Sequence, residues 1–209
     1  MTRITSDARP ALAAPRLRID KPLAFILLAL PLAWIAARLF GLAGLSLGPN
    51  PVEALIHALG SWGLRLLLLT LCVRPAAVIL RKPRLLRLRR MTGLFAFAYV
   101  LLHFLAWLVI DRALDFGSVL PDIAQRPYVT VGFTSLLLLL PLALTSTDRW
   151  MRRLGQRWHA LHRLVYLAAL GGCLHFLWLV KADWREPAVY IAAFTLLMAW
   201  RWRQRRPRR

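Results

Sequence analysis

Apolar residues occur along this chain in long runs separated by short basic or mixed segments. Six runs can be marked, at Leu23–Phe40, Ala54–Val73, Thr92–Ile110, Tyr128–Ser146, Ala160–Val180 and Ala188–Trp200. A helix needs about 17–25 apolar residues to cross the hydrocarbon core of a bilayer, and five of the runs have that length. The sixth run is shorter, and Trp200 and Trp202 are expected to extend it into the membrane interface. The pattern predicts an all-α polytopic membrane protein, a bundle of six transmembrane helices.

The composition agrees with a membrane protein and excludes other classes. Of the 209 residues 59% are hydrophobic, yet 29 Lys and Arg against 9 Asp and Glu give a formal charge of +20. A disordered chain is excluded because disorder requires low hydrophobicity. A secreted disulfide scaffold is excluded because the only cysteines, Cys72 and Cys173, both lie in apolar runs. The basic residues are therefore expected outside the hydrocarbon core.

The basic residues also predict an orientation. Both tails and the second and fourth connections hold 23 of the 29 Lys and Arg, whereas the opposite side holds five. Short loops rich in Lys and Arg stay in the cytoplasm. Both termini are therefore predicted to be cytoplasmic, with tails at 1–22 and 203–209 around a transmembrane domain at 23–202, and the first run is predicted to be a retained signal anchor. Because no soluble segment gathers the cations into one patch, the charge indicates contact with the lipid bilayer and no nucleic acid.

Two histidines are predicted to lie at the same depth in the membrane. His103 lies eight residues before Asp111, and His175 lies six residues before Lys181, so both are about 9–12 Å inside the outer face. Two imidazoles at one depth on facing helices can bind one haem iron from both sides. Histidines that only form hydrogen bonds between helices remain the alternative.

His162 is a third candidate ligand, thirteen residues before His175 and close to the inner face. On an ideal helix the two rings would point about 140° apart. Both could face one partner only if the helix unwound locally, and Gly171-Gly172 is the expected place.

The other polar residues in or beside the runs allow more than one interpretation. Arg65 interrupts the second run, where an unpaired guanidinium is costly. It could bind a haem propionate, a quinone oxygen or a flavin phosphate, or it could form a structural pair or extend its side chain to the interface. His57 and His159 are expected to make interfacial or interhelical hydrogen bonds.

Several motifs, taken in their order and spacing, resemble one bacterial family. They are Arg89–Leu94, Leu102-His103, Arg126–Gly132, Thr145–Thr147, Leu154–Trp158, Leu161–Tyr166 and His175–Trp178. They resemble the haem-binding membrane subunit of the periplasmic protein-methionine-sulfoxide reductase system (the MsrQ or YedZ family), within the ferric-reductase-like transmembrane superfamily. The likeness covers nearly the whole chain and is most specific from Thr145 to Trp178.

This resemblance implies haem b bound by His103, His162 and His175, together with flavin mononucleotide (FMN). It implies a bacterial inner-membrane protein that takes electrons from the quinone pool. The implied partner is a periplasmic molybdopterin-containing catalytic subunit that repairs oxidised methionines, so this chain would be a non-catalytic electron-transfer subunit. Related NADPH oxidases carry two histidines on each of two spans, whereas the third run here has only His103, so one complete axial pair is evident.

Two alternatives to that function stay open on the sequence. One is a cytochrome b or ferric-reductase-like protein that serves another electron acceptor. The other is a non-redox membrane scaffold or transporter whose histidines only link helices. The haem content of the purified protein separates the second alternative from the other two.

Overall fold

The computed structural model describes residues 20–180 and 183–205, and the regular structure in those ranges is helical. Predictions for residues 1–19, 181–182 and 206–209, including most of both tails, lie outside the described residues. The α-helices of the described ranges are α1 (Asp20–Leu39), α2 (Pro51–Ile79), α3 (Arg89–Ala106), α4 (Phe116–Gln125), α5 (Pro127–Leu144), α6 (Asp148–Leu154), α7 (Gln156–Leu161), α8 (Leu164–Leu179) and α9 (Arg185–Arg205).

The helices begin where the sequence provides suitable first-turn residues. Pro51 and Pro127 occupy the first turns of α2 and α5, where a missing backbone N–H costs nothing. Asp115 caps α4 by accepting a hydrogen bond of 3.0 Å from the backbone N–H of Gly117. At its C-terminal end α3 continues into a π-helical turn, Trp107–Asp111, which leads into the connection to α4.

Five helical stretches in the described ranges are long and apolar enough to cross a membrane. They are Lys21–Leu39, Pro51–Ile79, Pro83–Asp111, Pro127–Leu144 and Gln156–Leu179. These match the first five predicted runs and confirm an all-α membrane fold. The sixth run lies in α9, whose 21 residues extend about 30 Å but are less apolar. A count of six spans and the side of each terminus therefore stay predictions.

Two antiparallel helix pairs, α2 with α3 and α5 with α8, form the centre of the bundle. The core includes fully buried small residues on α3 and α8, namely Ala96, Ala168 and Ala169. Small side chains let helix backbones approach closely, which is how helices associate in a membrane where apolar burial adds little.

The outer helices are attached to this centre by polar contacts. The buried Tyr99 hydroxyl of α3 donates to the Leu28 carbonyl of α1 over 3.0 Å. The buried Arg201 of α9 donates to the Leu71 carbonyl of α2 over 2.7 Å and to the Tyr166 hydroxyl of α8 over 3.0 Å. In a low-dielectric interior such bonds are strong, so they fix the positions of α1 and α9.

Glycines on the α2–α3 contact provide a test of this packing. A methyl group at Gly63 would lie 2.8 Å from Val100 Cγ2 and 3.3 Å from the Val100 backbone nitrogen, whereas one at Gly93 would lie 3.5 Å from Thr70 Cγ2. We expect Gly63→Ala to destabilise the fold by about 1–3 kcal/mol, because α2 and α3 must separate. Gly93→Ala is the matched control and should be neutral or stabilising by up to about 1 kcal/mol. Thermal unfolding of the purified protein in detergent measures both, and equal effects would contradict the packing described.

Candidate functional site

His103 on α3 and His175 on α8 face each other across the centre of the bundle. Their ring centroids are 6.1 Å apart and the ring planes are inclined by 76°. The matched depth predicted from the sequence is therefore confirmed. Two elements that are 72 residues apart in the chain meet at this point.

Each of these imidazoles is held through its Nδ1 atom by a backbone carbonyl of the neighbouring helix. His103 Nδ1 lies 2.8 Å from the Ile56 carbonyl of α2, and His175 Nδ1 lies 2.7 Å from the Tyr128 carbonyl of α5. A carbonyl only accepts hydrogen bonds, so Nδ1 carries the proton in both rings. The unprotonated Nε2 of each ring is then the atom available to bind a metal.

A glycine of the same neighbouring helix makes room for each ring. A Cβ atom at Gly60 would lie 2.9 Å from His103 Nδ1, and one at Gly132 would lie 2.6 Å from His175 Nδ1. Real Cβ contacts are almost never that short, so a side chain at either position would displace the imidazole. Both glycines therefore contribute to the site, although sequence reasoning did not single them out for this role.

The two halves of the site repeat one arrangement. In each hairpin the histidine follows its carbonyl partner by 47 residues, and the glycine lies four residues after that carbonyl residue. The repeat is not evident in the amino-acid sequence, because the runs differ in their apolar side chains. The matched positions of Gly60 and Gly132 relative to His103 and His175 were the available signal.

A cavity of about 400 Å³ opens between the histidines, a volume within the usual range for small-ligand sites. Its deeper walls are apolar, with Leu64, Leu67, Phe104, Leu136 and Phe176 among them. Its mouth is polar and includes Asn50, Glu53, His57, Asp111, Arg112 and Tyr128. This arrangement suits a ligand with an apolar body and polar groups on one edge.

The distance between the rings fits a single metal ion. A metal–imidazole bond is about 2 Å long and the ring centre lies about 1 Å behind its nitrogen, so two imidazoles on one metal have centres about 6 Å apart. The measured centroid separation is 6.1 Å. The apolar walls and polar mouth of the cavity also suit a porphyrin and its propionates, so the residues present fit a haem.

His162 lies outside this cavity. Its Nε2 is 3.2 Å from the Thr145 hydroxyl oxygen, and its ring stacks on Trp158 at 3.9 Å between centroids. The expectation of unwinding at Gly171-Gly172 is wrong, because α8 is continuous through both residues. The irregular point lies instead at His162 and Arg163, between α7 and α8, where both residues keep right-handed helical dihedrals but the backbone hydrogen bonds tighten to three-residue spacing.

Arg65 also lies outside the cavity lining, where α2 meets α9. Its Nε donates to the Tyr190 hydroxyl over 2.8 Å, its Nη2 is 3.2 Å from Glu186 Oε1, and its guanidinium lies 5.1 Å from the centre of the Trp62 ring. Tyr190 in turn donates to Glu186 over 3.0 Å. The guanidinium therefore forms the structural pair that the sequence allowed as one alternative. Its contact with a haem propionate, a quinone oxygen or a flavin phosphate stays a prediction.

The remaining histidines contact neighbours on their own helices, where interfacial or interhelical hydrogen bonds were expected. His57 lines the mouth of the cavity, with Nε2 at 3.8 Å from a Glu53 carboxylate oxygen. His159 is exposed and packs edge-on against Trp158. Cys72 and Cys173 are free thiols within apolar helices.

Comparison of the sequence with those of known proteins assigns the chain to a family. The profile of the family described as "Ferric reductase like transmembrane component" matches residues 59–173. Proteins named "Protein-methionine-sulfoxide reductase heme-binding subunit MsrQ" are similar over most of the chain. The one from Caulobacter vibrioides is 53% identical and the one from Rhodospirillum rubrum 48% identical, covering 84% and 87% of this chain and 83% and 86% of their own lengths. This chain belongs to the MsrQ family.

The relationship extends across several bacterial groups. The MsrQ protein of Bordetella pertussis is 46% identical over 88% of this chain and 91% of its own length. The ferric reductase profile includes both ring-supporting glycines and His103 but ends two residues before His175. No solved structure matches the chain. The MsrQ resemblance identified from the sequence motifs is thus confirmed.

Proposed function

We propose that this chain is a membrane electron-transfer subunit that binds haem b between His103 and His175. The observation that carries the proposal is the pair of imidazoles 6.1 Å apart, each with Nδ1 on a carbonyl and Nε2 available. Support also comes from the MsrQ relatives, which are named as heme-binding subunits.

The protein residues prepare this centre in three ways. The Ile56 and Tyr128 carbonyls fix the tautomer and direction of the two imidazoles before any ligand binds. Apolar walls exclude water. At the mouth Arg112 is paired with Asp111 at 3.2 Å and Asp122 at 2.6 Å, and it can meet a carboxylate at the edge of a ligand by exchanging one of these pairs. A bound haem b supplies one-electron exchange between ferric and ferrous iron, with a potential set by its axial imidazoles and surroundings.

We place the mouth of the cavity on the periplasmic side of the bacterial inner membrane, and both termini in the cytoplasm. The excess of Lys and Arg at the other end of the bundle supports this orientation. The connection 112–127 and residues 183–187 then lie on the side available to a partner, together with residues 40–50. That partner is a periplasmic molybdopterin-containing catalytic subunit that reduces methionine sulfoxide, and FMN is a further cofactor on the family resemblance alone.

We propose that the quinone pool delivers electrons at the contact of α2 with α9. Arg65 and Glu186 are about half exposed there, and both bond to the buried Tyr190, beside otherwise apolar helix surfaces. The Tyr190 ring lies 5.6 Å from that of Phe176, which lines the cavity. Oxidation of a quinol releases two electrons, which a haem would accept in two successive one-electron steps, and two protons. The Glu186 carboxylate can accept one proton, and water at this half-exposed surface can accept the other.

His162 remains a proposed ligand for haem at the inner end of the bundle. Binding a metal through Nε2 would require the contact with Thr145 to break. No described imidazole is paired with His162 as His103 is with His175. We therefore expect His162 to contribute less than the other two histidines to the haem in the cavity.

Removing either histidine of the pair tests the centre. We expect His103→Ala and His175→Ala each to lose the Soret absorption of the purified protein, because one axial nitrogen is gone. His162→Ala is the control and should keep most of the haem in the cavity. A reduced-minus-oxidised spectrum with haem quantified per chain measures all three. Full haem in both cavity variants, or a colourless wild type, would contradict the proposal and favour a scaffold or transporter.

Replacing a ring-supporting glycine tests the geometry without removing a ligand. Gly132→Ala places a methyl group 2.6 Å from His175 Nδ1, so the ring must leave the Tyr128 carbonyl. Loss of such supporting contacts lowers metal-site affinity by about 10–100-fold, and we expect a loss of haem affinity in that range. Carbon monoxide should also bind the reduced variant, since one axial position is weakened. Gly93→Ala, far from both rings, should behave as wild type, and a Gly132→Ala protein with unchanged affinity and no carbon monoxide binding would refute the described geometry.

A tyrosine pair tests the quinol contact. Tyr190→Phe removes the hydroxyl bonded to Arg65, and Tyr166→Phe removes the one bonded to Arg201 elsewhere in the bundle. A hydrogen bond to a charged group is worth about 1.5–3 kcal/mol, so we expect haem reduction by a quinol to slow about 10–100-fold in Tyr190→Phe alone. Dithionite reduction should stay unchanged in both variants. Equal quinol rates in the two variants would place the quinol site elsewhere.

A further inference from the structure

A second cavity, of about 250 Å³, lies at the basic end of the bundle between α1 and α3. It is lined by Lys21 of α1, by Arg87 in the connection before α3, and by Arg90, Met91 and Leu94 of α3. None of these residues lines the histidine cavity. The site is therefore separate from the proposed electron-transfer centre.

The cations of this second cavity exceed the acidic groups around them. Arg90 is paired with Asp148, and its hydrogen bond and charge lower the pKa of that carboxyl, with smaller contributions from Arg152 and Lys21. Within the described ranges neither Lys21 nor Arg87 forms an ion pair, and both are exposed. Among the described residues the cavity thus presents two cations that form no ion pair, beside a third that is paired with Asp148.

Below the cations the surface becomes apolar. Met91 and Leu94 form the α3 wall of the cavity, and Leu94 is exposed on the bundle surface. One turn further along both helices, about 6 Å deeper, Phe25 of α1 meets Phe95 of α3 edge-on with 5.1 Å between ring centroids. Phe25 is also largely exposed, so the groove between α1 and α3 continues along the membrane-facing surface.

We propose that this cavity binds the phosphate group of an anionic phospholipid. Cations at a membrane surface attract phosphate, and an arginine adds directional hydrogen bonds to its oxygens. A soluble phosphate compound would use the cations but leave the apolar groove empty. A phospholipid uses both, with its phosphate at Lys21 and Arg87 and an acyl chain along Leu94 and Phe25, and it thereby holds α1 against α3.

The test is a titration of phosphatidylglycerol into the full-length, detergent-purified protein. Bound lipid is counted by native mass spectrometry, and the shift of the thermal unfolding midpoint is recorded in parallel. The Lys21→Gln/Arg87→Gln double variant removes the two unpaired cations. The Lys82→Gln/Arg84→Gln double variant is the matched control, since it removes one Lys and one Arg from exposed positions in the same basic region outside the cavity.

We expect saturable binding of phosphatidylglycerol that raises the unfolding midpoint. Binding should weaken about 10–30-fold in the cavity variant, as two surface cations imply, and less than about threefold in the control. The charge-preserving Lys21→Arg/Arg87→Lys protein should bind like wild type, which separates loss of charge from misfolding.

Three outcomes would overturn the proposal. Equal weakening in both glutamine variants would show that general surface charge attracts the lipid. Phosphatidylcholine that binds as tightly as phosphatidylglycerol would show that the cations do not select an anion. The third outcome is displacement of the lipid by inorganic phosphate or riboflavin 5′-phosphate, neither of which has an acyl chain to fill the groove. If either compound bound at the same cations as tightly as the lipid, the ligand would be a soluble phosphate.

Discussion

Two hydrogen bonds from imidazole Nδ1 atoms to helix carbonyls set the geometry on which the candidate site depends. In an α-helix the carbonyl of one residue points toward the residue four positions later. A ring that reaches the Ile56 or Tyr128 carbonyl must therefore lie directly over position 60 or 132. Only glycine leaves space there, so the hydrogen bond and the glycine are one requirement rather than two.

This requirement extends to the packing of the whole bundle. For each histidine to reach a carbonyl, its helix must approach the neighbouring helix closely over several turns. Gly63 against Val100 and Gly171 against Ser135 provide that approach in the two hairpins. The helices that are not needed for the approach, α1 and α9, lie outside and are attached by polar side-chain contacts, through Tyr99 for α1 and through Arg201 and Tyr190 for α9. The close helix packing that the site requires is thus found in α2, α3, α5 and α8, which position the two imidazole rings.

The sequence predicted the parts of this structure that depend on local properties. Runs of apolar residues predicted six membrane helices, and five of them are long and apolar enough in the described ranges. Counting residues from Asp111 and Lys181 predicted the common depth of His103 and His175, because helix rise is constant. The supporting glycines were missed, since a glycine in a membrane helix carries no local sign of what packs on it. The partners of Arg65 were missed because Tyr190 and Glu186 are more than 120 residues away in the chain. The irregular point between α7 and α8 was misplaced at Gly171-Gly172, because glycine served there as a packing site and not as a hinge.

The matched spacing in the two hairpins has a consequence for how the site is built. One hairpin with its carbonyl, glycine and histidine holds one ring, and the other hairpin holds the second ring with the same spacing. A change in one hairpin can therefore displace its own ring while the other ring keeps its support. The hairpins differ at the opposite end of the molecule, where Arg90 and His162 occupy equivalent positions thirteen residues before their respective histidines.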